Sequence, residues 1–308
     1  MELRIEIPTH ISDNFGDPLF YFINTILNVN NSKAEIFHFD FNNCMFINPF
    51  IIGGLTSIAH YQRLKGKKVH YTFNKQNESI SNYFKTVYFP DGFNYQESQF
   101  QNLDTFFENY HSKTYIPLIA FPAGKKEIEN KIREKVISAI NSILKDQLKL
   151  KGYVLMAIFY MIDELTQNIT DHSGSNKGIL FAQFYPTKNF MDICIADYGK
   201  GLLQSYIDAG KHNPKSDEEA INFAIFGKST KNLPESRGFG LSTSRRILVE
   251  GLKGKFCIYS GNAFFVQDIE REELIALEEG YYYKGCYVAL RIPILTNEQF
   301  NLYDYVGN

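Results

Sequence analysis

The apolar period of this chain switches repeatedly between two residues and about 3.6, and only mixed layers of strands and helices can bury both kinds of stripe. Residues 2–7 alternate charged with apolar positions, as a half-buried strand does. Phe20, Ile23, Ile26 and Leu27 then recur at helical spacing within Pro18 to Asn28, Ala34 to Phe41 alternates again, and Pro49 to Lys65 carries a helical stripe. A short strand over Val69 to Phe73 and an amphipathic helix over Ile80 to Val87 complete the series. The fold class expected over 1–92 is therefore a small α/β domain. The polar, aromatic and weakly periodic segment 93–112 reads as a linker, and 113–308 as a second domain.

In that second part a strand over Tyr115 to Ala120 leads into a long amphipathic helix from Lys125 to Lys151, with Ile128, Ile132, Val136, Ile140, Ile143, Leu144 and Leu148 on one face. A more apolar helix follows from Tyr153 to about Thr170, its polar residues gathered at the C-terminal end. Strands are expected over Ile179 to Tyr185 and Phe190 to Ala196, and again over Lys255 to Ser260, Ala263 to Gln267 and Gly285 to Pro293. Between the two sets lie a short helix, Glu218 to Phe226, and a long loop from Gly227 to Arg237. Loops of that length inside compact domains are usually lids or binding loops.

Composition narrows the function classes. At 308 residues, 44% hydrophobic and 15% aromatic, the chain can bury a large core, which excludes wholesale disorder. Lys and Arg number 32 against 34 Asp and Glu, a formal charge of −2, so no global field draws in nucleic acid or an anionic membrane. Cys44, Cys194, Cys257 and Cys286 form no Cys-x-x-Cys pair and read as small buried hydrophobes. The first residues lack the basic-then-apolar plan of a secretory signal, and the longest apolar stretches are too short or interrupted to span a bilayer. The expectation is a cytoplasmic protein with no membrane partner.

Three short motifs carry chemistry. Glu164 and Asn168 lie four residues apart on one helix edge, with Asp171 and His172 a turn further on. A carboxylate four residues before an amide can poise a base beside a magnesium ligand; taken alone, the pair reads rather as a solvated helix edge. Asp197-Tyr198-Gly199-Lys200-Gly201 follows an apolar strand directly, so a fixed carboxylate can accept from an exocyclic amine while two glycines let the backbone pass a flat ligand. Arg237-Gly238-Phe239-Gly240-Leu241 joins the long loop to a helix start, where N–H groups and the helix dipole favour phosphate. A plain Asp/Gly turn and a glycine-rich helix entry would look the same in isolation.

In this order and spacing, the three motifs resemble those of the GHKL superfamily, whose Bergerat fold is shared by gyrase, histidine kinases and mismatch-repair ATPases. Glu164-x-x-x-Asn168 looks like its N box, Asp197-x-Gly199-x-Gly201 like its first glycine box and Gly238-x-Gly240-Leu241 like its second. The resemblance implies a two-layer α/β sandwich over 113–308 that binds ATP and Mg²⁺. Asn168 would ligate the metal, Asp197 would accept from the adenine amine, and the amides of Gly238, Phe239, Gly240 and Leu241 would hold phosphate. Glu164 would be the catalytic base. The lid layout is similar to that of anti-sigma-factor serine kinases, with Thr230 and Lys231 among the nucleotide contacts. Asp171 stands where many sensor histidine kinases have a lysine, which disfavours self-phosphorylation.

The block from Phe39 to Leu55 looks like the strand-to-helix junction of a STAS domain, the fold of anti-sigma-factor antagonists. Where such antagonists are phosphorylated this chain has Asn48, Pro49 and Phe50, without a hydroxyl, and Ser57 lies on a different turn. The implied function is ATP hydrolysis or serine/threonine phosphotransfer coupled to a regulatory protein partner, with a homodimer as a further expectation. The alternative is a nucleotide-gated interaction switch without turnover.

Overall fold

The computed structural model describes residues 1–94, 103–228, 240–294 and 300–306. The strands are β1 (Glu2–Glu6), β2 (Ile36–Phe41), β3 (Lys68–Phe73), β4 (Phe93–Asn94), β5 (Ile119–Pro122), β6 (Lys177–Tyr185), β7 (Phe190–Asp197), β8 (Lys255–Gly261), β9 (Ala263–Gln267), β10 (Glu272–Ala276) and β11 (Tyr283–Pro293). The helices are α1 (Gly16–Asn31), α2 (Pro49–Leu64), α3 (Glu78–Thr86), α4 (Leu103–Glu108), α5 (Glu127–Leu148), α6 (Gly152–Asn168), α7 (Gly201–Ala209), α8 (Asp217–Ile225), α9 (Gly240–Arg246) and α10 (Tyr303–Val306). The fold is mixed α/β, as the switching period requires.

β1, β2 and β3 form a parallel three-stranded sheet. The larger sheet runs β10-β9-β8-β11-β7-β6-β5-β4, antiparallel throughout except for the short pairing of β4 with β5. Its central strands bury both faces, so their residues divide by parity. Leu180, Ile193, Ile195, Phe256, Ile258, Val288 and Leu290 pack with α5 and α6 in one core. Ile179, Phe181, Cys194, Ala196, Cys257, Tyr259, Tyr287 and Ala289 pack in a second core with Phe22 of α1, Phe39 and Phe41 of β2, and Phe50 and Leu55 of α2.

α2 therefore lies between the two sheets, touching β3 on one side and β6, β7 and β11 on the other. Its run Pro49 to Ala59 is buried at every position, the signature of a helix apolar all round. Asn48 starts it: its Oδ1 accepts from the Ile51 amide at 3.2 Å, and Pro49 occupies the first helical position, where a missing N–H costs nothing. The junction residues without a hydroxyl thus form a helix cap. Gly53 and Gly54 set the depth of the helix, because a Cβ on Gly53 would come within 2.5 Å of Cys194 Sγ and one on Gly54 would overlap the Phe22 ring.

The segment 93–112, read from sequence as a linker, is built into the fold where it is described. β4 extends the larger sheet, and Leu103, Phe107 and Tyr110 enter the core beside α5. The N-terminal elements and the larger sheet are fastened by a buried charge cluster as well. Arg291 on β11 donates to both Asp192 oxygens at 2.7 and 2.8 Å and to the main-chain oxygen of Asp13 at 2.7 Å. Charge-assisted, two-pronged bonds of this kind are directional and strong. No described helix is long and apolar enough to cross a membrane.

Candidate nucleotide-binding site

The site is assembled where α6 ends. After Asn168 the helix widens into a π-helical turn, Ile169–Ser173, and stops at Gly174, whose φ of 67° is left-handed. Turns of this kind inside helices are frequent at functional sites. Here the turn presents its carbonyls to the loop that follows β7: the Lys200 amide donates to Ser173 O at 2.8 Å, and the Ser205 hydroxyl lies 3.0 Å from His172 O. Gly199 is required by this approach, since any Cβ there would overlap the Ser173 carbonyl. Gly201 takes φ of 78° to turn the chain into α7, and the next amide, of Leu202, donates to Ser260 Oγ at 3.0 Å.

Asp197 is the last residue of β7 and only 1% exposed. Its Oδ1 accepts from the Gly199 amide at 2.7 Å. Burial drives its carboxyl up to about 7, against the opposing effect of the Gly199 and Cys286 amides. A carboxylate at the end of an apolar strand, held by its own loop and poorly solvated, is an acceptor prepared for an N–H donor.

Asn168, Asp197, Gly201, Gly240 and Leu241 line a single cleft together with His172 and Lys228, over a floor of Leu165, Ile195 and Val288. Members of all three sequence motifs among the described residues meet there. Glu164 stands just outside, on the α6 edge that faces the start of α9. A Cβ on Gly240 would overlap Glu164 Oε2 and come within 3.5 Å of Asn168 Nδ2, so glycine allows α9 to close against α6. The neighbouring Tyr160 hydroxyl is pushed up to about 12 by burial, with the Glu164 charge adding to the shift. Thr230, Lys231, Gly238 and Phe239 lie outside the described residues.

Tyr206 carries no sequence signal that singles it out, whereas Lys228, like Lys231, reads from the sequence as either a phosphate-reaching lysine or a solvated loop lysine. Tyr206 on α7 donates to the Lys228 carbonyl at 2.5 Å and so anchors the start of the long loop, and the Lys228 ammonium sits 3.7 Å from the centre of the Phe223 ring. No family model, curated protein or solved structure matches the chain. A buried acceptor on an apolar floor suits a flat heteroaromatic ring with an amine. Among the described residues no group of three or more His, Cys, Asp or Glu side chains could hold a metal by itself. A divalent cation would be shared between Asn168 and oxygens brought by a ligand, which suits Mg²⁺ with phosphates.

Proposed function

We propose that this chain is a Mg-ATP-binding protein of the GHKL type, with a STAS-like N-terminal part and a Bergerat-like sandwich. The observation that carries the reading is Asp197, a buried carboxylate at the floor of an apolar cleft that also gathers Asn168 and Gly240. Asp197 would accept from the exocyclic amine of adenine, and Gly199 and Gly201 let the main chain pass the ring closely. Asn168 would contribute one oxygen to Mg²⁺, which when bound neutralises phosphate charge. The amides of Gly238 to Leu241, with Thr230 and Lys231, would hold the phosphates. Glu164 would take the proton of the attacking water or hydroxyl, giving hydrolysis or transfer to a regulatory partner protein.

A second reading, a nucleotide-gated switch with negligible turnover, is favoured by one feature. Glu164 sits against Gly240 beside the cleft and is not among its lining residues. The full chain should bind ATP saturably by calorimetry in Mg²⁺, and Asn168→Ala should lose the Mg-dependent part of the affinity. Absence of saturable binding would overturn both readings. With γ-labelled ATP, Glu164→Gln should release phosphate roughly 10²–10⁴-fold more slowly than wild type at nearly unchanged affinity, the usual size of a general-base contribution. If wild type binds ATP and releases or transfers no label, the switch reading replaces the enzyme.

A further inference from the structure

Behind the cleft, on the opposite face of the sheet, the main-chain carbonyl of Asp197 meets two buried hydroxyls. Ser57 Oγ, from the middle of α2, lies 3.2 Å from that oxygen, and Tyr283 Oη, from the start of β11, lies 2.9 Å from it. The two hydroxyl oxygens are 2.6 Å apart. Both residues are buried, Ser57 fully, and Gly285 presses on the same carbonyl, since a Cβ there would overlap it.

Three contacts share two protons. Oxygens 2.6 Å apart repel unless a proton lies between them, so one proton belongs to the Ser57–Tyr283 contact. The other is donated to the Asp197 carbonyl, by whichever hydroxyl has not given its proton to its neighbour. The pair is therefore redundant. Removal of either hydroxyl leaves the other able to donate, and removal of both leaves the carbonyl without a donor from α2 or β11. Asp197 is thus held at three points: its carboxylate by the Gly199 and Cys286 amides, its carbonyl by the hydroxyl pair, and its main chain by the close pass of Gly285.

We propose that Ser57 and Tyr283 are positioning residues of the nucleotide site, fixing the main chain of Asp197 from the far side of the sheet so that its carboxylate meets the amine of the base. This rests on the ATP reading above. It makes base selection depend on a helix 140 residues away in sequence. Neither residue touches the cleft's phosphate side, so their effect is confined to the amine contact.

The test compares ATP with ITP, which carries a carbonyl oxygen where ATP has the amine, in calorimetric titrations of the full chain. Wild type should prefer ATP. In the double variant Ser57→Ala/Tyr283→Phe that preference should fall roughly tenfold, the size of one well-placed hydrogen bond, with ITP affinity unchanged. Ser57→Ala and Tyr283→Phe alone should each lower it by about two- to threefold, because one donor remains. A merely structural role would lower the melting temperature and leave the ATP-to-ITP ratio untouched, and that result in the double variant overturns the proposal. If the double variant does not fold, the single variants decide, and an unchanged ratio in both overturns it. Failure of the wild type to bind ATP removes the nucleotide reading and this inference with it, whereas ATP binding with an immovable ratio removes the inference alone.

Discussion

On the proposed nucleotide reading, Asp197 places function and stability in opposition within one side chain. Its carboxyl titrates at 3.8 in a solvated chain and about 7 in the fold, so between those values the native state keeps a proton that the unfolded chain has released. Stability contributed by that proton is full in acid and is lost as the pH rises through about 7. Asp197→Asn removes the loss. The variant should match wild type in chemical denaturation near pH 4 and exceed it at pH 8 by on the order of 1–4 kcal/mol, while binding ATP more weakly because its amide presents NH₂ to the adenine amine. A variant less stable than wild type at pH 8 would mean that the carboxylate is compensated and that burial does not set its titration. Ser57 shows why the proposed positioning pair is not legible in the sequence. Glu164, Asn168, Asp197 and the glycines announce themselves by spacing, whereas a serine inside an apolar helix has no neighbours in sequence that point to Asp197.

At the scale of elements, periodicity predicts the longer helices to within a few residues, whereas α4, α7 and α10 are not expected from it. The apolar series from Ile128 to Leu148 predicts the long helix found at Glu127–Leu148, and the alternation near residue 180 predicts the strand found at Lys177–Tyr185. Nothing in the sequence announces β10, because Glu272–Ala276 is only half-buried at the edge of the sheet and lacks a clean alternation. The burial of α2 on all sides is equally hidden. The sequence predicts one helical stripe over Pro49 to Lys65, yet Gly53, Gly54, Thr56 and Ser57 are small residues that fill its remaining faces and fit it between two sheets. Alanine normally stabilises a helix interior relative to glycine by about 1 kcal/mol. Gly53→Ala should reverse that sign and destabilise by roughly 1–3 kcal/mol, since the added methyl meets Cys194 on a packed strand and one of the layers must shift. Urea denaturation gives the answer, and a stabilised variant would show that the approach of α2 to β7 is looser than described.

For the whole molecule, the decisive feature is that both faces of the larger sheet are covered by parts of the same chain. A chain cut to 113–308 keeps the three motifs but uncovers Phe181, Tyr259, Tyr287 and the small residues around them. Aromatic side chains bury about 150–250 Å² each, so the bared patch exceeds what soluble monomers usually expose. Such a fragment should aggregate or bind a hydrophobic dye on size-exclusion chromatography, although 113–308 reads as a separate domain from sequence. A monomeric fragment with full ATP affinity would show instead that the second core is dispensable. The fit of α2 has a consequence for ancestry and for protein engineering. Halves joined by a flexible tether can be exchanged between proteins like interchangeable parts, but here the fit depends on Gly53 meeting Cys194 and Arg291 reaching Asp13. A foreign N-terminal half would have to bring matching small residues at the same helical positions, so the two halves are expected to be inherited together and to change together.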